Sequence, residues 1–408
     1  MKVCVFGMFH LGLVTSACLA TKSLKVVCLD TDVNVIENLK NDIFPIQEPH
    51  VAEFFKDFKS NLSFEHDVSC VKDCDYIWVT FDTPVDDNDA ADVDFVINNI
   101  RKVLNEKPDA VMVISSQLPV GTIAKIELEY PQATIACSPE NLRLGKSIQN
   151  FMNPDRIVVG TRTEQDKEKF MPLFESISFK IAWVKTESAE MVKHTINAFL
   201  ANCITFSNEI AKVCEILDIN VEEVEKCFLS EERIGTTLPL RSGMGFAGGT
   251  LARDVNFLDN IHPKSLIFSN IYKSNKKHNA WPKKKIKKVA NHVQNFGIVG
   301  LTYKPNTNTL RRSEALKLCE YLSKKGKNVF ALDTNLNTKI KGVTFVNNAE
   351  ELCKNVDCVI IFNNKDQIDN SLLNNKIVID PNGFKSLELS NSKKCIYYKV
   401  GKNNLDLS

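Results

Sequence analysis

A strand-like run, Lys2–Phe6, stops at Gly7-Met8-Phe9-His10-Leu11-Gly12, passes into a helical pattern from Leu13 to Thr21, and is answered by a second apolar run, Lys25–Leu29, that ends in Asp30. Strand, glycine turn, helix and strand in this spacing make a βαβ unit with parallel strands, because only a crossover helix returns the chain to the same edge. In such a unit a GxGxxG turn brings helix amides against a pyrophosphate, and an acid about twenty residues on takes the ribose hydroxyls. Gly7, Leu11, Gly12 and Asp30 therefore form a candidate cofactor-binding set for NAD, and the Asp30 charge repels the 2′-phosphate of NADP. Phe9 occupies the middle glycine position, so the pyrophosphate is expected to sit less closely.

Further strands are predicted at Asp75–Thr80, Ala110–Ser115, Thr134–Cys137, Arg156–Gly160 and Lys180–Trp183. Parallel sheets bind ligands at the carboxyl ends of their strands. Thr83 and Gln117 join the cofactor set on that ground, and Glu140, Asn141, Leu142 and Arg143 border the same crevice. From Thr186, read as an N-cap with Glu187 in the first turn, a helix runs to about Leu217 without Gly or Pro. Its length suits a domain-spanning or subunit-interface element. Lys193 and Asn197 share one face of it, with Ile196, Phe199 and Leu200 arguing for partial burial.

The stretch Gly243–Asp254 has four glycines in seven positions, Gly243 to Gly249, and is read as the active-site loop. A run of lysines in His278–Lys288 lacks the aromatic interleaving of a nucleic-acid site and is read as a solvated linker helix. A second α/β unit then opens at Phe296–Leu301 and continues through a helix, Arg312–Lys324, and strands at Asn328–Asp333, Asp357–Phe362 and Lys376–Asp380. The expected architecture is α/β: two Rossmann-like doubly wound domains joined by a central long-helix region, with boundaries at 1–185, 186–290 and 291–408.

The 408 residues suffice for two to three domains, and 51 Lys+Arg against 50 Asp+Glu leave a net charge of +1, with no global field toward nucleic acid or membrane. Thirteen cysteines show no CxxC pair or metal-ligand spacing, which suits a reducing cytoplasm and no bound metal. With no leader before the first strand and no apolar run of membrane length, the chain is expected to be soluble and unexported.

The order of these motifs resembles the UDP-glucose/GDP-mannose dehydrogenase family over nearly the whole chain. The resembling residues include Gly12–Ala20, Pro45-Ile46-Gln47-Glu48-Pro49, Pro139-Glu140-Asn141-Leu142-Arg143, Asn153–Gly160, Ala189–Lys193, Asn197–Ala201, Asn208–Ala211, the glycine loop and Gly300–Thr307. The resemblance implies an NAD domain, a central homodimerisation region and a C-terminal domain holding a nucleotide sugar, most simply a UDP-sugar, whose C6 hydroxyl is oxidised with two hydride transfers to two NAD. It implies that Lys193, Asn197 and Asp254 position water or stabilise oxyanions, that Glu140 lies at the substrate, and that Arg253 and Arg311 contact cofactor. Lys304 would bind the sugar nucleotide with Asn141, Leu142, Arg143, Gly243, Phe246 and Gly248, and Arg233 would reach a neighbouring subunit's site. Polysaccharide or capsule precursor synthesis is the setting it suggests.

The departures are as informative. Thr250 stands where the family has its nucleophilic cysteine, Gln117 replaces a threonine, Leu144 a glutamate of acid–base function, and Pro381-Asn382 an arginine. A thiolate traps an aldehyde as a thiohemiacetal; a threonine hydroxyl, far less acidic, does so only with a positioned base. Three outcomes stay open: one oxidation releasing a carbonyl product, a second oxidation through the hydrated aldehyde, or a non-catalytic homologue that binds a sugar nucleotide or a partner protein.

Overall fold

A computed structural model of the chain describes residues 1–402 except 85, 87–90, 141, 236, 248, 303–309, 311, 335, 337–338, 364 and 390–394. Two compact units emerge, Met1–Ile196 and Asn197–Ser408.

The first unit is built on an eight-stranded sheet: β1 (Lys2–Phe6), β2 (Lys25–Leu29), β3 (Leu62–Glu65), β4 (Tyr76–Val79), β5 (Val111–Ile114), β6 (Thr134–Cys137), β7 (Ile157–Thr161) and β8 (Ile181–Lys185). Their spatial order, β3-β2-β1-β4-β5-β6-β7-β8, is doubly wound, parallel except between β6 and β7, where Cys137 faces Gly160 antiparallel. Alternation along β1 explains why it reads as continuously apolar: Val3 and Val5 enter one core with Trp78, Phe170 and Phe174, while Cys4 and Phe6 enter the other with Ile77 and Val79. The helix His10–Thr21 is buried from Leu11 to Ala20.

The second unit opens with the remainder of the long helix Thr186–Leu217 and continues with helices at Val221–Leu229, Thr250–Ile261, Phe268–Asn279 and Trp281–Val289. It ends in a six-stranded sheet of β9 (Asn295–Val299), β10 (Asn328–Leu332), β11 (Thr344–Phe345), β12 (Cys358–Ile361), β13 (Ile377–Ile379) and β14 (Ile396–Tyr398), ordered β11-β10-β9-β12-β13-β14 and parallel throughout.

The two sheets repeat one piece of wiring. Gly7, at φ +105°, follows β1, and the next amide, Met8 N–H, donates to Asp30 Oδ2 at the end of β2 (2.8 Å). Gly300, at φ +79°, follows β9, and the Leu301 and Thr302 amides donate to Asp333 Oδ2 after β10 (2.7 and 3.1 Å). A left-handed turn closed by an acid at the neighbouring strand end is thus the local answer twice over.

Several expectations are corrected. Thr186 does not cap the long helix: it lies within it, and its buried hydroxyl has no hydrogen-bond partner among the described residues. Of the apolar residues read as covering Lys193 and Asn197, Phe199 is itself 52% exposed, although Asn197 is buried and Lys193 half-buried as expected. The lysine run is not simply a solvated linker: Lys285 is buried beneath the rings of Trp281 and Tyr398 at 5.0 and 5.5 Å, although Lys284, Lys287 and Lys288 are exposed.

Candidate functional site

The first unit carries the cofactor end. A Cβ on Gly12 would stand 1.9 Å from the Gly7 carbonyl oxygen, so glycine is obligatory where the first helix turn crosses the strand end. Leu11 is buried beside it. No side chain caps the helix that begins at His10, which leaves its first amides for an anion. Phe9 holds φ −104° and ψ −151°, ordinary extended angles, and is 46% exposed. Asp30 accepts from Met8 N–H through one oxygen and Asp32 N–H through the other (3.0 Å), keeping lone pairs on both for ribose hydroxyls. These features fit NAD.

Behind the neighbouring strand ends, the buried Thr83 hydroxyl donates to the Gln117 carbonyl (2.6 Å). The Gln117 amide lies 3.1 Å from His194 Nδ1, while His194 Nε2 meets the Leu118 carbonyl at 3.2 Å; Nε2 therefore carries the proton. Glu190, one turn earlier on the long helix, accepts from the Gly121 and Ile123 amides at 2.7 and 3.1 Å. His194 and Glu190 thus fix the Gln117–Ile123 turn. Neither was singled out from sequence, because a helix-borne histidine one residue from Lys193 carries no motif of its own.

Glu140 keeps some accessible surface, but its carboxyl is enclosed closely enough that burial pushes it up to about 7, against the attraction of Lys193. A carboxyl held near neutrality is suited to proton transfer. Leu142 is half-buried against the core, the Arg143 side chain is exposed, and Leu144 is half-buried.

The second unit carries the glycine loop. Thr250 is exposed at the start of the helix Thr250–Ile261, with Gly249 before it. One turn on, the Asp254 carboxylate is fully buried, bound by Asn197 Nδ2 through Oδ2 and by Arg253 Nε through Oδ1 (3.2 Å). The loop before it is held by side chains on its backbone. Gly243 N–H donates to Asn208 Oδ1 (3.0 Å) and its carbonyl accepts from His278 Nε2 (2.7 Å). Met244 N–H donates to Asn382 Oδ1 (2.8 Å), and the Phe246 carbonyl accepts from Asn275 and Asn279 at 2.8 and 3.3 Å. The Phe246 ring is buried with Ala198, Ala201, Ala252, Val255 and Ile271, so it anchors the loop. Asn382, where the resemblance led one to expect an arginine, is a loop clamp: a Cβ on Gly243 would come within 2.7 Å of its Oδ1. Arg233 is exposed and paired with Glu231 (2.8 Å). Asn141, Gly248, Lys304 and Arg311 lie outside the described residues. Among the described residues no group of three or more His, Cys, Asp or Glu is placed to hold a metal, and no helix is long and apolar enough to cross a membrane.

Two doubly wound sheets, each with a glycine turn answered by an aspartate, define a protein of the dinucleotide-binding class. Residues 1–178 match the NAD binding domain of the UDP-glucose/GDP-mannose dehydrogenase family, 187–281 its central domain and 297–385 its UDP binding domain. The chain is 30% identical to UDP-glucose 6-dehydrogenase of Rickettsia felis, the match covering 88% of this chain and 86% of that one. It is 29% identical to UDP-glucose 6-dehydrogenase TuaD of Bacillus subtilis, covering 98% and 93%. In fold it is similar to a UDP-glucose dehydrogenase from Pyrobaculum islandicum, with TM-score 0.85 and 24% identity over 93% of each chain. The chain belongs to the UDP-glucose/GDP-mannose dehydrogenase family, as an NAD-dependent nucleotide-sugar dehydrogenase that acts on a CH–OH group.

Proposed function

We propose that the substrate is a UDP-sugar, oxidised at its C6 hydroxyl in one two-electron step that releases a carbonyl product. The observation that carries this reading is the exposed Thr250 hydroxyl one turn before an Asp254 carboxylate already bound by Asn197 and Arg253. No thiolate stands at that position, and a threonine hydroxyl, far less acidic than a thiol, is a poor nucleophile without a positioned base. The non-catalytic reading is not favoured by the comparisons.

NAD, when bound, accepts the hydride. In this assignment Gly7, Leu11 and Gly12 form the turn under its pyrophosphate, Asp30 takes its ribose hydroxyls, Thr83 and Gln117 shape the adjoining strand ends, and Arg253 and Arg311 contact it. Glu140, titrating at about 7, takes the hydroxyl proton as the C–H hydride leaves, so that alcohol becomes aldehyde with one proton released. Lys193, Asn197 and Asp254 stabilise the developing oxyanion or position water. Asn141, Leu142, Arg143, Gly243, Phe246, Gly248 and Lys304 form the substrate-binding set, with Arg233 reaching a neighbouring subunit.

The protein we assign is a homodimer. Phe199, Phe206, Val213 and Ile216 are exposed at helical spacing along the long helix, and Phe206 pairs with Phe228 at 6.1 Å between centroids. A stripe of this kind is what a second copy covers. Domain boundaries at residues 185 and 290, a cytoplasmic location, supported by thirteen unpaired cysteines, and a role in polysaccharide or capsule precursor supply complete the assignment. NADH release against a panel of UDP-, GDP- and dTDP-sugars tests it: turnover with a UDP-sugar supports the reading, and none with any sugar overturns it.

A further inference from the structure

The motif Pro45-Ile46-Gln47-Glu48-Pro49 has no part in the chemistry above, yet Glu48 is among the most enclosed carboxylates of the first unit, its side chain 1% exposed. It accepts from the Gly145 amide (2.9 and 3.0 Å to its two oxygens), from the Ser147 amide (2.9 Å) and from His10 Nε2 (3.0 Å). His10 is the first residue of the helix His10–Thr21 and lies inside the glycine fingerprint. Ser147 Oγ donates to the Arg143 carbonyl (2.8 Å) and lies 3.1 Å from the same His10 Nε2.

Serine, histidine and a carboxylate in contact suggest a nucleophile relay, but a relay uses both ring nitrogens, one for each partner. Here both partners meet Nε2, so its N–H forks between Glu48 and Ser147, and no base is left facing the serine. The arrangement is a clamp. One buried carboxylate ties the start of the cofactor helix to the residues that follow Glu140–Arg143, and a buried charge of this kind is costly unless every donor stays in place.

We infer that Glu48 and His10 are positioning residues that lock the segment Arg143–Ser147, which follows Glu140 closely in the chain, to the first turn of the cofactor helix, so that NAD and nucleotide sugar each favour binding of the other. A ligand that fixes the first turn fixes His10, and through Glu48 the Gly145 and Ser147 amides; linkage makes the effect reciprocal. The nucleotide-sugar end of this inference rests on the proposed function. The NAD end does not.

Hydrogen–deuterium exchange on the full chain, with and without NAD, separates the two. In the parent, NAD should slow exchange at Gly145 and Ser147 about fivefold. In His10→Leu, with NAD binding verified by calorimetry, that response should vanish. A purely structural role would speed exchange equally with and without NAD and leave the response intact. Glu48→Gln should raise KM for the nucleotide sugar about tenfold or more, with a smaller change in kcat, as loss of a charged acceptor under two amides implies. No NAD effect on Gly145 and Ser147 in the parent, or an effect that survives in His10→Leu, overturns the inference. If the parent oxidises no nucleotide sugar, the proposed function falls and the exchange result still decides the clamp.

Discussion

Replacing Glu140 by glutamine should make the protein's stability less sensitive to pH, and the sign follows from the site. The carboxyl ordinarily titrates at 4.5 and does so at about 7 in the fold, burial outweighing the pull of Lys193. Below about pH 4.5 it is protonated in both folded and unfolded chains and costs nothing. As the pH rises toward 7 the unfolded chain ionises first, so folding retains a proton and stability falls; above 7 the penalty is constant. At about 1.4 kcal/mol for each tenfold, and with partial exposure returning some solvation, the penalty is about 1–3 kcal/mol. Urea titrations of the parent and Glu140→Gln at pH 5 and pH 8 should show the variant gaining that amount relative to the parent between the two conditions. Subtraction cancels every other titrating group. The same variant should lose the limb near pH 7 from the pH profile of kcat/KM, with a rate decrease of about 10²-fold or more. An equal stability difference at both pH values, with an unchanged rate profile, refutes the account of Glu140.

Phe9→Gly should tighten NAD in calorimetric titration while costing about 0.5–1 kcal/mol of stability, since the position needs no glycine for its backbone angles; no NAD binding by parent or variant counts against the cofactor assignment. Gly12→Ala should abolish NAD binding and destabilise the first unit by about 2 kcal/mol or more, because its Cβ meets a carbonyl oxygen at 1.9 Å. Light scattering at micromolar concentration should give a dimer for the parent and a monomer for Phe206→Glu, a charge placed on the exposed stripe of the long helix; a monomeric parent contradicts the proposed interface.

Most of the first sheet could be read from sequence because its central strands are buried on both faces and therefore apolar without interruption, β2 and β6 to the residue. The strands that escaped notice, β3, β11 and β14, all lie at sheet edges. Leu62–Glu65 alternates half-buried with exposed residues, and β11 is only Thr344–Phe345, too short to leave a pattern. The glycine turn and Asp30 were legible because a GxGxxG-type spacing reports a steric demand, borne out at Gly7 and Gly12. The contacts of Glu48, His10, His194, Asn275 and His278 were not, although the motifs holding Glu48 and His10 stood out, since their partners lie far off in sequence or on backbone atoms: Glu48 meets Gly145 and Ser147 across nearly a hundred residues. Lys285 misled because a lysine whose ammonium is buried against aromatic rings looks, in sequence, like its solvated neighbours.

Counting NADH per nucleotide sugar consumed, with product mass determined beside it, tests the central claim most directly. With Thr250 in place of a thiolate, about one NADH should form per substrate and the product should be a carbonyl compound trapped by hydroxylamine. Thr250→Cys alone should not bring the count to two, since Leu144 and Gln117 leave the acid–base arrangement altered. Two NADH and a uronic acid from the parent would contradict the one-step account.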